Sequence, residues 1–519
     1  MTASATAHDA ARPHSVTRFV VLLAALVSVA CGSGAPSPPE RERLKVMIPA
    51  SYREQIRTLM ESGEVPFATR YGDIDWVDMP GYAGRDAVFP PSLAARFSDS
   101  DPDADVLFLD LYRLGSFQPA WLTRFESGPF EKLDQTFRSA FLDASRLGSD
   151  PSRGAADAPA PPPGAGSSPA YAIPWSAQAN FLYYRTDLVQ STPQSWGELR
   201  EACERVVDRG VPRGMRYCLL LTWESIENDL YPALWSLGAS GARLESKGVV
   251  DFATELASWF GLELGGGLRM LPSPKQAPEV GRDIHKRFLG GEAVFMINWS
   301  NRYRFMADDA KAKGQVVPPV QMAPIPPALP GGVAYSNVGT WGWIVPAMRS
   351  KPTTTTEDRH ARAVRFVADV TSAASASFLM RTTGLIPART DVPLPEDVAA
   401  IMAAPVKAAL GDGKSSDDKD SDGKGSGGPA MATFKFRDRG YDAFTHGFVR
   451  DAFRDLAMCR TSLSQKVPSS LIGDCARYYE DCIESETPGT DCLRHAISRR
   501  LKAAQRNVLV VSPTAEPSE

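Results

Sequence analysis

The stretch GGEAVFMINWSNRY, which begins at Gly290, carries an apolar run at 293–297 into Asn298, Trp299, Ser300 and Asn301. Two readings fit such a strand end: a polar cap around a packed indole, or a strand that delivers a ring with hydrogen-bonding groups beside it into a cleft. The grouping recurs. Trp175 stands next to Ser176 and Gln178, Trp223 precedes Glu224 and Asn228, and Trp341 follows Gly339, with Tyr335 and Asn337 upstream. Asp110 ends the apolar run VLFLD, where it either faces a cleft or caps the turn that follows. The chemistry open to these groups is noncovalent. Ring faces cover apolar C–H surface while indole and phenol tips keep a polar partner. Carboxylates and amides hold hydroxyl pairs by directional, charge-assisted bonds. Trp196, Trp235, Trp259 and Trp343 sit among apolar neighbours at packing spacing and read as core.

Motifs for covalent or metal chemistry are missing. There is no GxxxxGK[ST], HExxH or GxSxG, and the six histidines pair with no nucleophile. DKDSDG begins like a calcium loop at Asp418, Asp420, Asp422 and Gly423, but its twelfth position is Pro429 instead of a bidentate glutamate. It reads as a solvated charge tract, and GKGSGG beside it fits a dinucleotide fingerprint without the strand that motif requires. No metal and no cofactor is expected. Paired carboxylates remain open as a possibility, because sequence spacing says nothing about distance in space.

Alternating strand and helix patterns carry these residues. RLKVMIPA reads as a first strand, YREQIRTLMES as a helix with Ile56, Leu59 and Met60 on one face, and DIDWVDM as a second strand. A helix, a turn and the buried strand VLFLD follow, so the order implies an α/β sheet with crossovers. SWGELREACERVVDRG is a helix with Ser195 as N-cap and Glu198 three residues on. Residues 148–170 are dominated by Pro, Gly, Ala and Ser and cannot bury enough to order themselves. A second low-complexity tract, 411–430, separates the body from a helical C-terminal segment. Two α/β halves joined by more than one strand make a cleft between lobes the expected ligand place.

The chain has 519 residues, 43% hydrophobic and 23% charged, with a net charge of -4. That is ordinary globular composition with no basic excess to suggest nucleic acid. Arg12, His14 and Arg18 precede an apolar segment at 19–30, too short to cross a bilayer and shaped like a secretory signal. Residues 1–30 are read as a signal peptide ending at a lipobox-like site, with Cys31 lipidated, although Ser28 stands where a large aliphatic residue is usual. Residues 31–42 then form a tether. Of seven cysteines, six remain: Cys203, Cys218, Cys459, Cys475, Cys482 and Cys492. An even set in an exported chain suggests disulfides. Cys203 and Cys218 are the natural pair, and closing their loop of about 15 residues contributes roughly 3 kcal/mol in the chain-entropy model. The last four allow three connectivities.

In this order the segments resemble the extracellular solute-binding proteins of family one, the maltose-type components of ABC importers. FSDSDPDADVLFLD resembles their helix-to-strand segment ending in an acidic residue at the cleft. IPWSAQANFLYYRTDL with TPQSWGELREACERV resembles their tyrosine-rich crossover and Trp-bearing helix. LYPALWSLGA, FLGGEAVFMINWSNRY, GTWGWIVP (with Thr340 for a usual glycine) and AVRFVADVTSAASASFLMRTTGLIPARTDV resemble the later helices and strands. The likeness covers most of 43–395 and the final helix at 492–507.

The resemblance implies an α/β fold of the type II periplasmic-binding-protein kind, two lobes with the ligand cleft between them. Lobe one is expected at 43–173 and 284–346. Lobe two is expected at 174–283 and 347–507, with a cysteine-rich hairpin at 459–492 and a tail at 508–519. It also implies a substrate-binding role instead of an enzymatic one: capture of a mono- or oligosaccharide and delivery to ABC permease subunits, by a monomer held to the cell envelope through its lipid alone. The ligand contacts it suggests are Asp110, Trp175, Gln178, Trp223, Glu224, Asn228, Asn298, Trp299, Tyr335, Gly339 and Trp341. A sugar-active envelope hydrolase and a ligand-presenting sensor are the alternatives.

Overall fold

The computed structural model describes residues 43–394, apart from 66–69, 72–73, 80–103, 139–140, 143, 147–168, 223–225, 239–245, 274–275, 281–282, 349–353, together with 396 and 433–436. The signal segment, Cys31 and the tether lie outside the described residues. So do most of the insertion 148–170, the tract 411–430 with Asp418, the cysteines at 459–492, and Trp223 and Glu224. The chain divides into Met1–Arg43 and Leu44–Glu519; the description concerns the second.

The first elements follow the pattern of the sequence. Strand β1 (Leu44–Ile48) ends at Pro49, which opens helix α1 (Ala50–Glu61) with Ile56 and Leu59 buried. Strands β2 (Ile74–Asp78) and β3 (Val106–Asp110) both lie parallel to β1. After the short helix α2 (Leu133–Thr136) comes β4 (Ile173–Arg185), then α3 (Trp196–Asp208), β5 (Tyr217–Leu220), α4 (Ile226–Ser236) and α5 (Lys247–Trp259). The hairpin β6 (Glu263–Gly265) and β7 (Leu268–Arg269) leads through α6 (Ala277–Val280) and α7 (Ile284–Leu289) to β8 (Ala293–Trp299). Helix α8 (Arg302–Ala312), β9 (Val320–Ala323) and β10 (Tyr335–Ile344) follow. Helices α9 (Thr354–Val370) and α10 (Ala373–Thr383) and strands β11 (Ile386–Pro387) and β12 (Thr433–Phe436) complete the described chain.

Strand order is β2-β1-β3-β10-β4-β8-β5-β7-β6, with β11 and β9 on β4 and β12 on β10. The 13-residue β4 organises this sheet. At about 3.3 Å per residue it is about 43 Å long, enough to serve two sets of partners. Its residues 173–178 pair with β10, while 180–184 pair with β8 and 182–185 with β9. Two half-sheets therefore meet on one strand.

Two main apolar cores pack against the sheet, and the second is shared by both halves. One core gathers α3, α4 and α5 with Leu182, Phe295 and Ile297, and buries Trp196, Trp235 and Trp259. The other gathers β1, β3, β10, α9 and α10 and buries Trp343. All four tryptophans read as core from the sequence are thus buried. Helix α3 starts as expected: Ser195 Oγ accepts from the Glu198 N–H at 3.1 Å, and the Glu198 carboxylate accepts from the Gln194 N–H at 2.9 Å. Cys203 on α3 and Cys218 on β5 form the expected disulfide, with Cα atoms 5.7 Å apart and both residues buried.

One segment packs elsewhere than the sequence pattern suggests. The expected lobe two includes 347–507, yet α9 and α10 pack on the β1 side. Phe366 meets Trp343 and Tyr71 edge-on, Asp369 accepts from Arg70 and Tyr71, and Arg381 forms an ion pair with Glu64. Packing across some 300 positions of chain leaves no local signal in the sequence. Among the described residues no single helix is long and apolar enough to cross a membrane.

Candidate ligand site

Four adjacent strands carry most of the residues singled out above. Asp110 closes β3, and β10 runs antiparallel to it with Trp341 opposite Asp110. On its other edge β10 sets Trp341 opposite Ser176 and Gly339 opposite Gln178 of β4. β4 in turn sets Asn180 opposite Trp299 and Phe181 opposite Asn298 of β8. Asp110, Gln178, Asn298, Trp299, Gly339 and Trp341 therefore lie at one seam, where β4 changes partners.

At its centre is Gly339. A Cβ built there would lie 3.8 Å from the Trp299 ring and 3.9 Å from Asp110 Oδ2. The half-buried indole and the carboxylate thus flank a position with no side chain. Asp110 precedes the 3-10 turn Leu111–Ser116 but makes no side-chain capping bond to it, so capping does not account for this carboxylate. Beside it, Trp341 stacks on Phe108 at 5.3 Å and meets Tyr52 of α1 at 4.5 Å. Behind Phe108 lie Trp175, edge-on at 5.1 Å, and Trp343 at 4.5 Å. Trp175 is 1% exposed, so it forms the second layer of this aromatic wall and not its open face.

The polar groups around Trp299 turn out to pin the backbone. Asn298 Oδ1 accepts from the Trp299 N–H at 2.9 Å. Ser300 and Ala179 exchange two bonds, Ser300 N–H to the Ala179 carbonyl at 2.8 Å and Ala179 N–H to Ser300 Oγ at 3.3 Å. The Tyr183 hydroxyl donates to the carbonyls of both Trp299 and Ser300, and burial raises its pKa, keeping it a donor. Each bond fixes where β8 stops, and hence where the indole stands.

A second polar group braces the seam from α4. Asn180 Nδ2 donates to Asp229 Oδ1 at 2.9 Å, the Thr222 N–H donates to Asp229 Oδ2 at 2.7 Å, and Asn337 Nδ2 donates to Asn228 Oδ1 at 3.1 Å. Consecutive residues of α4 thereby hold neighbouring strands. Of these, Asn228 was singled out from the sequence; Asn180 and Asp229 were not, nor was Tyr52. The available signal is an amide within the largely apolar run of β4, and an amide–acid pair at the start of α4. Tyr335 lies apart, at the start of β10, edge-on to Trp235 at 6.3 Å. No group of three or more His, Cys, Asp or Glu that could hold a metal occurs among the described residues. What the seam offers is aromatic surface, a carboxylate and amides held in fixed positions, which is a binding arrangement.

Comparison with known proteins places this geometry. Residues 117–406, more than half of the chain, match the family described as bacterial extracellular solute-binding protein. Among solved structures, the chain is similar to maltose-bound MalE3 of T. maritima, with 18% identity and a TM-score of 0.56 over 89% of this chain and 99% of that one. It is similar to UgpB of Mycobacterium tuberculosis in complex with glycerophosphocholine, with 14% identity and a TM-score of 0.53 over 90% and 98%. The GacH receptor of Streptomyces glaucescens, solved with acarbose, aligns at 14% identity and a TM-score of 0.53 over 91% and 99%. These likenesses show the fold, that of the two-lobed type II periplasmic binding proteins. A curated relative, a probable ABC transporter-binding protein of Deinococcus radiodurans, is 25% identical over 191 residues, 35% of this chain. The chain spans only 44% of that relative's length. On the extent of the family match, the chain belongs to the bacterial extracellular solute-binding proteins.

Proposed function

We propose that the protein captures a mono- or oligosaccharide between its lobes and delivers it to the permease subunits of an ABC importer. The observation that carries this reading is the grouping of the half-buried Trp299 indole and the Asp110 carboxylate on either side of Gly339, with Trp341 and Tyr52 alongside. A pyranose has apolar C–H faces and hydroxyl edges, and this grouping matches both. In this reading Trp299, Gly339, Trp341, Asp110 and Gln178 form one wall of the ligand site. Maltose- and acarbose-bound relatives of the same fold support a sugar, and the Deinococcus relative supports the transporter partner. The ligand selects a closed arrangement of the lobes, and it leaves unaltered, since the work is binding. A thermal-shift screen of mono- and oligosaccharides tests the reading. Stabilisation by one sugar, recovered intact after incubation, is expected. No shift with any sugar, or release of cleaved product, would remove it.

The same proposal places the protein in the cell envelope as a monomer anchored through lipidated Cys31. It rests on the short apolar segment before that residue. Cys31→Ser should release the protein from the membrane fraction; retention of the variant would count against the anchor.

A further inference from the structure

Arg302 opens α8, three residues beyond Trp299. Arginines on this chain are usually paired: Arg304 with Asp308 at 3.2 Å, Arg287 with Glu292 at 3.1 Å, Arg389 with Asp391 at 2.7 Å. Arg302 differs. Among the described residues its guanidinium has no hydrogen-bonded or ion-paired partner, and its Nε is sealed from solvent. Its companion is the Phe305 ring, 5.1 Å from the guanidinium carbon. Asp283 is within electrostatic reach, but it is engaged by Lys286 at 3.4 Å. Burial accordingly pushes the guanidinium pKa below its ordinary value.

Such a placement is costly. The sealed Nε of a half-buried cation with no anion loses its hydration without compensation. It also stands in the first turn of an 11-residue helix, at the positive end of the helix dipole. Next to it, Asn301 is the helix N-cap, yet it makes no capping bond. It is only 7% exposed, and its Oδ1 has no partner among the described residues. A donor-only fork and an acceptor oxygen, both unsatisfied, are therefore adjacent on the chain. Both follow the end of β8 directly, within three residues of Trp299. Arg302 lies within electrostatic reach of Tyr183, whose hydroxyl donates to the Trp299 and Ser300 carbonyls, and of Tyr52, whose ring packs on Trp341.

We infer that the ligand is an anionic saccharide, a sugar bearing a carboxylate or phosphate, and that Arg302 is a specificity-determining residue that pairs with that group while Asn301 accepts a hydroxyl. The inference rests on the carbohydrate reading above. The planar guanidinium matches carboxylate and phosphate oxygens two at a time. The anion supplies the compensation that Arg302 lacks, and Asp110, the strand partner of Trp341, serves the hydroxyl edge.

The test is calorimetric titration of the full chain with hexoses and maltose, with the matching uronates and sugar phosphates, and with glycerol 3-phosphate and inorganic phosphate. An acidic sugar should bind at least tenfold more tightly than its neutral counterpart, with affinity falling as salt rises. Arg302→Gln should lose at least tenfold for the acidic sugar and leave the neutral one unchanged, and Arg302→Lys should recover part of the loss. Equal affinity for neutral and acidic sugars, or an Arg302→Gln variant that binds the acidic sugar as well as wild type, would overturn the inference and leave the carbohydrate reading standing. Binding of glycerol 3-phosphate or phosphate with no sugar bound would overturn both. The wild-type comparison and its salt dependence decide the matter even where Arg302→Gln does not fold.

Discussion

Two glycines on β10, three residues apart, should respond oppositely to the same added methyl group. Neither has a positive φ, so alanine meets no backbone strain at either. At 339 the new Cβ would sit 3.8 Å from the Trp299 ring and 3.9 Å from Asp110 Oδ2, ordinary contact distances. Gly339→Ala should therefore keep the fold, and by restricting the unfolded chain it should gain about 0.4–1 kcal/mol. At 342 the Cβ would lie 2.6 Å from the Ile173 carbonyl oxygen and 2.9 Å from a Leu111 methyl. The oxygen belongs to the backbone of the strand that joins the two half-sheets and cannot swing aside. Overpacking of this kind costs about 1–3 kcal/mol, so the two variants should differ by about 1.5–4 kcal/mol in denaturant melts, from these two ranges. The binding effects should be reversed. The methyl at 339 fills the space between ring and carboxylate, and sugar affinity should fall at least tenfold, about 1.4 kcal/mol. A Gly342→Ala variant as stable as wild type would refute the close approach. A Gly339→Ala variant with full affinity would show that the ligand does not occupy this space.

Removing the Cys203–Cys218 bond by a double serine substitution should cost roughly 3 kcal/mol in a melt, and alkylation of the denatured, unreduced protein should leave both cysteines unlabelled because their sulfurs are bonded to each other. Asp229→Ala leaves the buried Asn180 amide and the Thr222 N–H without their partner; at about 1–3 kcal/mol for each such group, a stability loss of about 2–6 kcal/mol is expected, and no measurable loss would dismiss the brace. His285 and His360 have pKa values lowered chiefly by burial. Below about pH 6.5 the unfolded chain binds protons that the folded chain does not. Stability should therefore be held above that pH and decline as pH falls through it, with the slope reduced in His285→Gln/His360→Gln; a flat profile between pH 7 and 5.5 would contradict this.

What could be read from the sequence was set by how local the determining contacts are. The α3 capping pair, the Cys203–Cys218 bond and the apolar strands β1, β3 and β8 depend on neighbours in the chain or on runs of one residue class, and each is found where the pattern puts it. The order of motifs likewise carried the family and its fold. Depth was harder. Trp175 and Trp341 both stand beside polar residues, yet one is the second layer behind Phe108 and the other meets Tyr52. That difference is decided by β3 and α1, more than 50 residues away. Asn298 and Ser300 looked like ligand groups and instead tie down the strand end, because β4 brings Ala179 alongside. Asn180 and Asp229 have no spacing rule connecting them, since strand register brings them together.

The central claim is that Trp299 and Asp110 grip a sugar across Gly339. The most direct measurement is calorimetric titration of wild type, Trp299→Ala and Asp110→Asn with the sugar found by the screen, beside denaturant melts of each. Losing a buried aromatic anchor typically costs about 2 kcal/mol or more of binding, so Trp299→Ala should bind about thirtyfold more weakly. Its stability should change by less than the roughly 3–5 kcal/mol that truncating a core tryptophan costs. Asp110→Asn should also bind more weakly while remaining folded. Intact affinity in both variants, with a large stability loss in Trp299→Ala, would make the indole ordinary packing and contradict the account.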